Sequence, residues 1–274
     1  MDTGKSNLGR ETVLQFLHCD AVTNPIKMEN INQREILLPL AVFFYGVHTQ
    51  AIDNRILGVR PRYTIVNTLH GLWGQIPGHN VLKDTAIYQA AGIKVIGYIT
   101  SGYEGTGSAG NIDAKWYTLE TNLEFIKNMA LIDNLDGVFI DECSAFPTPA
   151  AQTYLKTLTD TAHSYGLITW GNVGLAQFDS WFFTRGGFDL MNSDENWHGQ
   201  ELSQVQRDWG YRIGVTGSNP RYNAQDALDI TINAREKGLA YCYICGTDYT
   251  SLSSWFEEYA ALLRDYGNYA RNTE

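Results

Sequence analysis

Asp141 and Glu142 close a short β-rich run, Leu135 to Asp141, and an acidic pair at the end of a strand is equipment for proton transfer. Along that run Gly137, Phe139 and Asp141 fall on one face, and Val138, Ile140 and Glu142 on the other. A glycine and a large ring suit the inside of a barrel, while two β-branched residues suit a face covered by helices. The parity directs Asp141 into a cavity and leaves Glu142 at its edge. The plainer alternative is that both acids cap the following helix or pair with an arginine.

A second carboxylate stands in the run Phe188 to Glu195, where Met191, Ser193 and Glu195 share one parity. Glu195 is therefore favoured over Asp194, and a bulge or a one-residue shift would exchange the two. Two carboxyl groups facing one groove are the minimum for cleaving a glycosidic bond: one protonates the leaving oxygen, the other acts as nucleophile or base. Other polar and aromatic residues gather at the ends of β-rich runs: Tyr45, Asn67, Tyr98, Tyr103, Asn172, Asp248 and Tyr249. Tyr45, Trp73, Tyr98, Tyr103, Trp197 and Tyr249 offer rings for sugar faces, with core packing as the alternative for about half of them.

Competing chemistries lack their parts. The six histidines are scattered, with only His48, His70, His79 and His198 near strand ends, and no HExxH spacing occurs, so no metal or other cofactor is expected. Cys143 follows the acidic pair without a recognisable partner. Lys94 begins its strand, the wrong end for Schiff-base chemistry in a barrel.

The elements that must hold these residues are legible as an alternation. Eight β-rich runs, Leu37 to Tyr45, Tyr63 to Thr68, Val95 to Thr100, Gly137 to Asp141, Leu167 to Asn172, Phe188 to Glu195, Arg212 to Thr216 and Leu239 to Cys245, alternate with helical stretches. Val81 to Ala91, Ala114 to Leu131 and Ala150 to Tyr165 carry apolar residues at three- and four-residue spacing. In the last helix Ser254 and Glu257 form a capping-box pattern, and Trp255, Tyr259, Leu262 and Tyr266 form a stripe. Gly92, Gly166 and Gly238 precede strands where helix C-terminal caps are expected. The fold predicted is a single α/β (β/α)8 TIM barrel over residues 36–274, preceded by an N-terminal extension, residues 1–35, that forms an extra helix or a plug.

Composition agrees. The chain has 274 residues, 44% hydrophobic and 18% charged, near the usual size of one such barrel. Thirty acidic against 20 basic residues give a net charge of −10, which disfavours nucleic acid and anionic lipid as partners. No apolar run is long enough to insert in a membrane, and Met1 to Arg10 lacks the apolar core of a secretory signal. Cys242 and Cys245 lie at odd spacing within a strand, which places them on opposite faces and marks them as structural.

Several motifs, taken in order, resemble those of the spherulin-4-like glycoside hydrolases, relatives of the galactosaminogalactan hydrolases and endo-α-1,4-polygalactosaminidases. They are Leu38-Pro39-Leu40, Ile65-Val66-Asn67, Ala91 to Tyr98 with Ser101-Gly102-Tyr103, and Asp136 to Glu142, so the resemblance spans most of residues 37 to 250. It implies an essential aspartate at Asp141, an asparagine at Asn172 and a glutamate at Glu195, acting on a polysaccharide of galactosamine or N-acetylgalactosamine, and an extracellular or cell-surface location for the protein. An N-acetyl group on the substrate would allow its own oxygen to replace a protein nucleophile. The chain departs from the family at strand five, which reads Gly171-Asn172-Val173-Gly174, and at strand six, which reads Asn192-Ser193-Asp194-Glu195. The competing expectation is a glycan-binding or structural barrel without turnover.

Overall fold

The computed structural model describes residues 38–46, 48–67, 81–108 and 113–273. Eight parallel strands close into a barrel in chain order: β1 (Leu38–Phe44), β2 (Pro61–Val66), β3 (Lys94–Thr100), β4 (Gly137–Asp141), β5 (Ile168–Asn172), β6 (Leu190–Asp194), β7 (Ile213–Ser218) and β8 (Tyr241–Cys245). Closure is made where Leu40 of β1 pairs with Cys242 of β8. All eight expected strands are present, with ends displaced by no more than a few residues. The helices are α1 (Gln50–Val59), α2 (Val81–Ala90), α3 (Gly102–Gly105), α4 (Leu119–Leu131), α5 (Pro149–Ser164), α6 (Trp181–Thr184), α7 (Gln204–Trp209), α8 (Ala224–Glu236) and α9 (Phe256–Thr273). The expected extension, residues 1–35, lies outside the described residues, as do Trp73, His70 and His79.

Local chemistry fixes the helix starts. Thr118, Thr148, Ser203 and Asn223 are N-caps whose side chains accept backbone N–H bonds, and Pro149 occupies the first turn of α5. Thr118 also explains a difference from expectation: the stretch from Ala114 is a 3-10 turn, Ala114–Trp116, and the α-helix starts only after the cap. Gly92, Gly166 and Gly238 have φ of 80°, 77° and 85°, the left-handed conformation that ends a helix where a Cβ would be strained.

One expectation for the last helix is corrected. α9 begins at Phe256, so Ser254 and Glu257 form no capping box; the Glu257 carboxylate reaches across to the Arg55 guanidinium instead. The buried stripe is Phe256, Tyr259, Ala260 and Leu263, with Trp255, Leu262 and Tyr266 only partly buried beside it.

Inside the barrel the fill is aromatic. Tyr63, Trp170 and Tyr241 make one group, with centroids 5.1 to 5.5 Å apart. Above them Phe43 meets Phe139 at 5.4 Å, Trp170 at 5.9 Å and Tyr243 at 6.0 Å. Edge-to-face and offset ring contacts of this kind add about 0.5 to 1.5 kcal/mol each beyond area burial. They make a floor beneath the C-terminal ends of the strands. Cys242 and Cys245 are buried free thiols on β8.

Candidate active site

Directly above that floor, the ends of β3, β4, β5 and β6 bring four polar side chains into one hydrogen-bonded chain. The Tyr98 hydroxyl donates to Asp141 Oδ2 at 2.7 Å, and the Glu142 backbone N–H donates to Asp141 Oδ1 at 2.8 Å. Asn172 Nδ2 donates to Asp141 Oδ1 and to Glu195 Oε1, each at 2.6 Å. Asn172 Oδ1 accepts from Asn192 Nδ2 at 3.0 Å and from the Gly174 N–H at 3.1 Å. Those two donors orient the amide so that its NH2 group must face the carboxylates.

Two chambers open on either side of this bridge. Both are lined by Asp141, Asn172 and Glu195. The larger, about 270 Å³, adds Phe43, Tyr45, Asn192, Thr216, Asp248 and Tyr249. The smaller, about 180 Å³, adds Tyr103, Glu142, Val173 and Gly174. A chain-like substrate lying across the bridge would place one unit in each chamber, with the bond between them over the acids.

Burial dominates the Asp141 carboxyl and raises it to about 6, with the Glu195 charge pushing the same way and the Tyr98 and Asn172 bonds opposing. Above that pH Asp141 is the acceptor that its three donors require. Burial, then the Asp141 and Glu195 charges, raise the Tyr45 hydroxyl, so it stays a proton donor; within the described fold it donates to no partner. Removing the Tyr98 hydroxyl takes away one of Asp141's donors. In Tyr98→Phe the Asp141 carboxyl is expected to titrate higher by about one pH unit, read by carbon NMR of labelled aspartate.

Strain supports the smaller chamber. Glu142 sits at φ 55°, and its carboxylate accepts from Thr100 Oγ1 at 2.5 Å and Ser108 Oγ at 2.8 Å. α3 is a left-handed turn: Gly102, Tyr103 and Glu104 have φ of 55°, 47° and 57°. Such a conformation costs roughly 1–2 kcal/mol for each non-glycine residue. It is held by Glu104, which accepts from the Ser144 N–H and hydroxyl, and by the Tyr103 N–H on the Glu142 carbonyl. The result presents Tyr103, 39% exposed, over the smaller chamber.

The structure therefore brings together Asp141, Glu195, Asn172, Tyr45, Tyr98, Tyr103, Glu142, Asp248 and Tyr249. Asn67 follows β2 half-buried and is not among the residues lining either chamber. Trp197 is a correction: it is fully buried and has no face for a sugar. An antiparallel bridge between Asn196 and Gly217 folds the chain over β7 and tucks the indole inward, with the Lys237 ammonium 6.0 Å from its centroid.

The parity assigned to β6 is also corrected. Asn192 lines the larger chamber, while the Ser193 hydroxyl accepts from Gln206 of α7, on the helix side. A register shift between Asn192 and Asp194 then turns the chain by one residue. Asp194 caps the Asn196 N–H at 2.9 Å and holds Gln200 at 2.5 Å, and Glu195 reaches the cavity. Phe43, Asn192 and Thr216 are lining residues that sequence reasoning missed. The signal was available for the last two, as polar residues inside strands that are otherwise buried.

Cys143 is buried with its thiol on the Ile140 carbonyl, and burial pushes that thiol well up, away from the reactive thiolate.

No protein-family model and no curated protein matches the chain. Solved structures do. Sph3 from Aspergillus clavatus, in complex with GalNAc, superposes with a TM-score of 0.59 at 14% identity, covering 82% of this chain and 96% of that one. The α-L-fucosidase AlfC from Lactobacillus casei, in complex with α-L-fucose product, gives 0.51 at 14% identity, covering 84% and 83%. D-psicose 3-epimerase from Clostridium cellulolyticum H10, with D-tagatose, gives 0.51 at 8% identity, covering 84% and 98%. At such identities the likeness is one of architecture, and the chain is a (β/α)8 TIM barrel.

Proposed function

We propose that the protein is a glycoside hydrolase acting on a polysaccharide that contains galactosamine or N-acetylgalactosamine, with Asp141 and Glu195 as its working carboxylates. The observation that carries this reading is the Asn172 bridge between them. Two bonds of 2.6 Å meeting at one nitrogen hold the two oxygens no further apart than twice that length. Retaining enzymes separate their carboxyl groups by about 5–5.5 Å and inverting ones by about 6.5–9.5 Å, so the spacing favours retention.

Roles follow from the hydrogen bonds. Both Asp141 oxygens are engaged by donors, which suits an ionised nucleophile or stabiliser of positive charge at the anomeric carbon. Glu195 uses only Oε1, so Oε2 is free to carry the proton to the leaving oxygen and later to take one from water. Asn172 positions both, and Tyr45 donates to the sugar in the larger chamber. Tyr98 holds Asp141, and Tyr103 and Tyr249 supply ring faces. The amino-sugar part of the reading draws on the fold shared with Sph3, solved with GalNAc, and on an acidic rim that suits a partly cationic chain.

The test is release of reducing ends from α-1,4-linked galactosamine and N-acetylgalactosamine polymers. Wild type is expected to cleave at least one. Glu195→Gln is expected to lose about a hundredfold to ten-thousandfold in kcat, the contribution of a single general acid. Cleavage undiminished in both Glu195→Gln and Asp141→Asn would reject the site; tight binding without cleavage by wild type would identify a glycan-binding barrel.

A further inference from the structure

The loop that follows β4 and the loop that follows β5 each do two things. The first supplies Glu142 to the smaller chamber and, four residues on, Phe146 to a separate groove of about 420 Å³. The second supplies Val173 and Gly174 to the chamber and Gln177, Phe178, Asp179 and Ser180 to the groove. α7 forms the far wall with Gln204, Val205 and Asp208. The same two loops therefore wall both the chamber and the groove.

The groove is firm. The Asp179 N–H donates to the Ala145 carbonyl at 2.8 Å, tying the two loops together, and the Ser203 hydroxyl donates to the Ala176 carbonyl at 2.6 Å, tying the second loop to α7. Its polar groups are in part unused by the fold. Gln177 makes no hydrogen bond among the described residues, and Ser180 stands at the start of α6 without its hydroxyl capping the helix. Asp179 engages Oδ1 on the Trp181 N–H and leaves Oδ2 free. Beside them Phe146, which lines the groove, is 66% exposed. An exposed ring beside uncommitted amide, hydroxyl and carboxylate groups is the equipment that binds a sugar: the ring takes an apolar face, and the polar groups take hydroxyls.

We infer that this groove is a remote subsite that holds further sugar units of the same glycan, continuing from the smaller chamber past Gly174 to Phe146 and Gln177. The inference rests on the glycosidase reading. Remote contacts of this kind supply binding energy that is used at the reacting bond, so they make cleavage depend on chain length.

The test uses Phe146→Ala with Gln177→Ala, both exposed positions, and galactosamine and N-acetylgalactosamine oligosaccharides from disaccharide to decasaccharide. Melting temperatures of wild type and double variant are compared first, and no change is expected. The double variant is expected to lose about tenfold in kcat/KM on the longest chain and nothing on the shortest that is cleaved. Equal loss at every length, or loss at none, with wild-type cleavage intact, overturns the subsite and leaves the glycosidase reading standing. If wild type cleaves no chain, the glycosidase reading fails, and calorimetric titration with the decasaccharide decides the subsite: binding weakened in the double variant supports it, while no binding, or unchanged binding, overturns it.

Discussion

Asn172→Ala is expected to lower kcat by about a hundredfold to a thousandfold while leaving KM within a few fold, measured on whichever polymer wild type cleaves. The amide does not have to touch the scissile bond for this. Its two N–H groups each bond one carboxyl group, and without them Asp141 loses one of the three donors that favour its ionised form. Loss of that donor raises the Asp141 carboxyl, already lifted to about 6 by burial, still further. The acidic limb of the kcat/KM profile, expected near pH 6 in wild type because Asp141 must be ionised, should therefore move upward in the variant. A profile lost in height but unmoved on the pH axis would mean that Asn172 only shapes the cavity. If instead wild-type activity falls as pH rises through 6, Asp141 is the proton donor and the two roles are exchanged.

Asp141→Asn is expected to abolish cleavage and to make the protein more stable at pH 8. The Asp141 pKa of about 6 in the folded chain lies above the ordinary 3.8, so proton binding favours the folded state. That contribution is complete below about 3.8 and is lost as pH rises through about 6. Across this window the wild type forfeits at most about 3 kcal/mol from this group, trimmed to about 1–3 because the carboxylate opens on a cavity. An asparagine has no charge to bury and escapes the loss, although its amide matches the surrounding donors less well. Urea unfolding at pH 4 and pH 8 separates the two effects, since only the titrating carboxylate makes the difference between variant and wild type depend on pH. A variant less stable than wild type by the same amount at both pH values would show that lost hydrogen bonds, and not relief of a buried charge, govern the site. Sites held ready for chemistry at a cost in stability are the expected pattern.

Much of this architecture is written in the chain itself. Eight β-rich runs separated by helical periodicity, with glycines where helices must turn into strands, leave few alternatives to a closed parallel barrel. The inward face of β4 was legible because strand parity is local: Gly137, Phe139 and Asp141 alternate without interruption, and Asp141 lands in the cavity. Asn172 was legible as the polar end of β5, although its role as a strut was not, because a bridge between β4 and β6 exists only once three strands are side by side.

Glu195 marks the boundary between the two sources of information. The sequence by itself determined that an acid would stand at the end of β6, and alternation chose Glu195 over Asp194. The choice names the residue that reaches Asn172, but the faces of the strand are the reverse of those assigned, with Asn192 inside and Ser193 outside. Only the pairing with β7 decided the matter, because its register slips between Asn192 and Asp194 and passes the inward position on by one residue. A bulge is set by the hydrogen bonds available on the neighbouring strand, and periodicity along one strand holds no record of them. The same holds for Trp197, which is buried next to the bridge that its neighbour Asn196 makes to Gly217 on that strand. Asp141 was fixed by its own strand; its partner was fixed by the strand next door.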